Sequence, residues 1–180
     1  MVKAAELQHG DVLLYHHNPR YSNLFVKGIR LVTGSKVQHT AIVWEVDGDK
    51  FVLEQLLTRS HFKLDFYYDF PGEDIVCVRP LFPIPAQDTK KMFRREDYGI
   101  SPIVYCMINH FIGLFVDKWQ ARPFVHKIWQ KKLIDCSGLV ALILKLRENT
   151  DWCKYPSVVE PGHYLLHPES FMVIGPVDWS

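Results

Sequence analysis

A chain of 180 residues that is 48% hydrophobic and 13% aromatic carries enough apolar material for one domain with its own core. Its formal net charge of +1 argues against nucleic acid as a partner, because binding to phosphates draws on a basic surface. No apolar run approaches the roughly 20 residues of a membrane span; the longest, "IVYCMINHFIGLFV", is interrupted by Asn109 and His110 and reads as a buried or surface-docked helix.

The opening "MVKAAELQHGDVLLY" lacks an apolar segment followed by a small-residue cleavage site. The expectation is a cytoplasmic protein, or one exported by a route not written in the sequence. Strands are expected over Gly10 to Tyr15, His39 to Val46, Lys50 to Leu57 and Asp74 to Pro80, which are short, β-branched or alternating, and bounded by turn residues. Between the first two, "SNLFVKGIRLVTG" reads as a short helix that Gly34 could close. The prolines of "RPLFPIPAQD" suit a rigid crossing into the second half. From Tyr98 the period changes to a helical one, Ser101 serving as cap and Pro102 as first helical residue. The second half is therefore expected to be mostly helical. The four cysteines, Cys77, Cys106, Cys136 and Cys153, form no close pair, so neither a zinc site nor a disulfide framework is indicated and free thiols are the default.

One helix start carries chemistry. In "DCSGLVALILKLREN" Asp135 can cap exposed backbone N–H groups, while Lys145 and Arg147 lie towards the far end, where cations favour the dipole. Cys136 then sits in the first turn, where the helix dipole and unpaired N–H groups favour thiolate over thiol. A lone cysteine ahead of "LVALIL" is also the commonplace pattern of a small buried hydrophobe. A base is needed to separate the two readings.

Of nine histidines, only His39 opens a strand whose geometry can be worked out. In "HTAIVWEVDGDKFVLEQLL" the Asp47–Gly48 pair between alternating runs is a strong hairpin signal. With those two residues as the loop, Val46 pairs with Asp49, Ala41 with Glu54 and His39 with Leu56. His39, Ala41, Val43, Val52, Glu54 and Leu56 then share one sheet face, with Glu54 diagonal to His39. A carboxylate there can orient the imidazole. Small side chains at Ala41, Val43 and Val52 leave room on that face for the Cys136 helix. Taken singly, His39 reads as a water-satisfied strand end and Glu54 as an edge charge. Together with Cys136 they supply the nucleophile, base and orienting group of thiol catalysis. The remaining histidines read as surface or core residues.

The same residues carry a resemblance. "DCSGLV" looks like the nucleophile motif of the NlpC-type peptidases, a papain-like superfamily in which the cysteine starts a helix packed on a small antiparallel sheet. In the usual members the cysteine precedes the histidine; here "HTAIVW" comes first. That order resembles the circularly permuted branch, which includes the YiiX-like and the lecithin:retinol acyltransferase-like proteins. "HGDVLLY" resembles that branch's opening strand, "FVLEQ" its strand with the acidic third residue, and "EPGHYLLHPESF" its closing segment. The resemblance implies an α+β fold and one permuted papain-like domain over residues 1–180. It implies Cys136 as nucleophile, His39 as base and Glu54 as orienting residue, with no cofactor and no metal. The implied reaction is hydrolysis of an amide in a peptide or a peptidoglycan stem through an acyl-enzyme. Ester or lipid acyl hydrolysis or transfer is the runner-up, and a catalytically silent binding or structural protein on the same fold the third reading.

The segment 98–133 matches no motif of that family and is a candidate helical insertion. Within it "DKWQARPFVHKIWQKK" interleaves five cations between Lys118 and Lys132 with Trp119, Phe124 and Trp129. That composition suits peripheral contact with an anionic membrane or polymer, and it equally describes a solvated basic face, the commoner case. Tyr15 and Tyr98 are candidate neighbours of the thiol, as substrate-binding or oxyanion groups.

Overall fold

The computed structural model of the protein describes residues 1–17, 36–37, 39–55, 59–65, 74–84, 136–154 and 159–179. The strands are β1 (Val2–Lys3), β2 (Val12–His17), β3 (His39–Val46), β4 (Asp49–Gln55), β5 (Arg59–Lys63), β6 (Asp74–Pro80) and β7 (Phe171–Asp178). The helices are α1 (Cys136–Ile143), α2 (Leu146–Asn149) and α3 (His163–Leu166), with a 3-10 turn at Ala4–Glu6. The fold is mixed α and β. Its strands form one sheet in the order β1-β7-β6-β2-β3-β4-β5, antiparallel throughout except where β1 runs parallel to β7.

The hairpin that places the site is fixed by its loop. Asp47 and Gly48 both take positive φ, 52° and 85°, as a two-residue type I′ turn requires. Val46 pairs with Asp49 and Ala41 with Glu54, the register expected from the sequence. The proposed His39–Leu56 pair lies outside the described residues, as do the helix expected over 22–34, the Asp135 cap, Ser101, Pro102 and the whole of 98–133.

Alternation along the strands produces two buried faces. One carries Val12, Leu14, Ile42, Trp44, Leu53 and Val78 together with Leu139, Val140, Ile143 and Leu144 of α1 and its extension. The other carries Leu13, Tyr15, Ala41, Val43, Val52, Ile75 and Cys77 with Leu7 and Leu64. Helix α1 therefore covers the face opposite to the one expected. Space over Ala41, Val43 and Val52 is a weaker attraction than the larger apolar area of Leu14, Ile42, Trp44 and Leu53.

Two further expectations are corrected. The helix that begins at Cys136 does not run on to Asn149: α1 ends at Ile143, and Lys145 turns left-handed with φ 48° before α2 begins. Leu144 and Leu146 are both fully buried, and residues two apart lie on different sides of a straight helix. Breaking the helix at Lys145 lets both enter the core. Nor is the described second half mainly helical, since β7 is an eight-residue strand lying between β6 and β1. Gly175 and Pro176 lie where the β6–β7 register shifts beside Cys77 and Val78, a setting that accepts a glycine at φ 128° and a proline without its N–H.

Asp11 ties the start of β2 to β6. Its carboxylate is gripped by Arg79, Nε to Oδ1 at 2.7 Å and Nη2 to Oδ2 at 2.8 Å, and Oδ2 also accepts the Gln8 N–H at 2.7 Å. The Asp11 side chain is 1% exposed. Arg79→Ala would strand a buried carboxylate, and a loss of about 3 kcal/mol is expected in urea unfolding. A loss below about 1 kcal/mol, the usual value of an exposed pair, would show that water reaches Asp11.

Candidate active site

His39 is the first residue of β3 and is 6% exposed, and Glu54 near the end of β4 is 2% exposed. Because Ala41 faces Glu54 across the ladder, the two side chains project from the same face and meet: His39 Nε2 lies 3.1 Å from Glu54 Oε2. Glu54 Oε1 is buried and has no hydrogen-bond partner among the described residues. Tyr15 pairs with His39 across the β2–β3 ladder, and its ring centroid is 5.2 Å from the imidazole. Tyr15 is thus a neighbour of His39. Tyr98 lies outside the described residues.

Cys136 is the first residue of α1, half-buried and free. Its thiol is within hydrogen-bonding reach of His39. Since α1 covers the opposite sheet face, this contact is made at the end of the sheet, where the first residue of a helix meets the first residue of a strand. With Nε2 committed to Glu54, Nδ1 is the imidazole nitrogen left for the sulfur. Burial alone would lower the His39 pKa; the Cys136 sulfur and then the Glu54 carboxylate overcome that and raise it to about 10. The imidazole therefore keeps a second proton through neutral pH.

The other described thiols differ. Burial, reinforced by Asp11, pushes Cys77 well above the ordinary thiol range, and burial raises Cys153 to about 12. Both lie in the core. Cys106 lies outside the described residues. Among the other histidines, His9 Nδ1 accepts the Glu45 N–H, His163 Nδ1 accepts the Glu160 N–H, and His167 stacks on Trp152 beside Glu169. No group of three or more His, Cys, Asp or Glu side chains is placed to hold a metal among the described residues. No described helix is long and apolar enough to cross a membrane.

One contact had no signal in the sequence. Tyr164, from the segment after "EPG", donates its hydroxyl to the Ser137 carbonyl at 2.8 Å, in the first turn of α1. A tyrosine in a Pro- and Gly-punctuated tail has no periodic pattern to tie it to a helix some 27 residues away. Neither the protein-family models nor the curated proteins compared with the chain match it.

Proposed function

We propose that this protein is a thiol-dependent hydrolase of the permuted papain-like kind that cleaves an amide bond, in a peptide or a peptidoglycan stem, through an acyl-enzyme on Cys136. The observation that carries this is the continuous contact from Cys136 to His39 to Glu54. The proton of the Cys136 thiol rests on His39 Nδ1, and the thiolate sulfur attacks the carbonyl carbon. The Cys136 backbone N–H, in the first turn of α1, helps hold the oxyanion. The imidazolium returns its proton to the leaving nitrogen as the C–N bond breaks. His39 then removes a proton from water, which attacks the thioester and frees the acid and the thiol. An imidazole that keeps its proton through neutral pH favours an amide, since an amine departs only when protonated whereas an alkoxide is a better leaving group. Ester or lipid acyl transfer uses the same three residues without that need.

The test is selective alkylation. Iodoacetamide at pH 6, followed by peptide mapping, should modify Cys136 at least tenfold faster than Cys77 or Cys153, because it alone of the three is half-exposed beside an imidazolium. Equal rates would favour the binding-protein reading. Incubation with peptide and with ester substrates then separates the chemistries by the mass of the adduct retained on Cys136.

A further inference from the structure

Helix ends fray, and the residue that opens a helix is ordinarily the least well held. Cys136 is such a residue, and its thiol and backbone N–H must both be aimed for the chemistry proposed above. The carbonyl of Ser137, one residue on, accepts the Ala141 N–H in regular helix geometry and has a second lone pair free for another donor. Tyr164 supplies one, its hydroxyl at 2.8 Å. The phenol is rigidly seated: Tyr164 is 0% exposed and its ring stands edge-on to Phe171 with centroids 5.2 Å apart. Phe171 is in turn flanked by Phe82 at 5.8 Å and Trp152 at 6.5 Å, and the Trp152 indole N–H donates to Ser170 Oγ at 3.0 Å. An aromatic cluster centred on the start of β7 therefore ends in a single hydroxyl placed on the first turn of the nucleophile helix.

We infer that Tyr164 is a positioning residue for Cys136, holding the first turn of α1 so that the sulfur faces His39 and the Cys136 N–H faces the reacting carbonyl. This rests on the thiol-hydrolase reading. A phenol that served only the core would need its ring and a partner for its hydroxyl, whereas this hydroxyl is spent on the one turn whose geometry sets the nucleophile. Small displacements of a reacting group are costly, with about 1 Å enough for a hundredfold loss of rate.

Tyr164→Phe keeps the ring and removes the donor. Iodoacetamide labelling of Cys136 at pH 6 is expected to slow about tenfold, with its pH profile changed and Tm changed by only a few degrees. 3-Fluorotyrosine at position 164, which keeps the hydroxyl, should restore the rate. A lower Tm with unchanged Cys136 rate and pH profile would overturn the inference and leave a structural tyrosine. Should Tyr164→Phe not fold, amide exchange on the unaltered protein decides: the Ala141 amide should exchange as slowly as that of Leu144, which bonds to the Val140 carbonyl, and exchange more than tenfold faster would mean the first turn is not held. Wild-type Cys136 reacting no faster than Cys77 and Cys153 would remove the thiol reading and this inference with it. A reactive wild type with an equally reactive Tyr164→Phe would remove only the role of Tyr164.

Discussion

His39→Ala is expected to lower the rate of acyl transfer to Cys136 by about a thousandfold, within the range that a positioned acid–base group contributes. Selective labelling at pH 6 should disappear with it. The sulfur loses both the acceptor of its proton and the cation beside it, and of the described histidines His9, His163 and His167 are held elsewhere, at Glu45, Glu160 and the Trp152–Glu169 pair. The variant also carries a stability signature whose sign is fixed. The folded-state pKa of His39 is raised from 6.5 to about 10, so its protonation contributes stability that is complete below about pH 6.5 and is lost as pH rises towards 10. Between those limits wild type should lose stability relative to His39→Ala, as read from urea midpoints at pH 6, 8 and 10. Parallel curves would mean that His39 is neutral in the folded protein, and a variant that retained Cys136 labelling would assign the base elsewhere.

The parts of this arrangement that were legible in the sequence are those fixed by local rules. Asp47–Gly48 demands positive φ at both positions, and that alone fixes a register that puts Glu54 within reach of His39. A helix over Cys136–Ile143 was legible from its apolar run. What was not legible depends on competition between distant segments. Which sheet face α1 covers turns on the summed apolar area of Leu14, Ile42, Trp44 and Leu53 against that of the smaller residues opposite. The break at Lys145 follows from burying Leu144 and Leu146 together. β7 is a strand because β6 and β1 flank it, although Gly175 and Pro176 speak against one locally. Tyr164 reaches Ser137 only once all of these are in place.

Glu54 separates positioning from packing more sharply than any other residue in the site. A buried carboxylate is costly unless its oxygens are satisfied, and among the described residues only Oε2 has a partner, His39. As a contributor to stability Glu54 is poor, so its presence points to the orientation of the imidazole. Glu54→Ala is accordingly expected to reduce turnover, or low-pH labelling of Cys136, by about tenfold to a hundredfold, with little loss of stability. With the carboxylate gone the His39 pKa should fall, and the fraction of stability linked to its proton should be lost at lower pH than in wild type. Gln55 is the control that the register provides. It is equally buried, at 4% exposure, but alternation along β4 places it on the opposite face, with Leu53 and the α1 side of the sheet. Gln55→Ala should therefore lower the unfolding midpoint while the rate per folded molecule stays within a few-fold of wild type. The reverse ranking, with Gln55 controlling rate and Glu54 stability, would require that the strand be read one residue out of register. Equal and small effects of both on rate would leave a Cys136–His39 dyad whose imidazole is oriented by backbone or water.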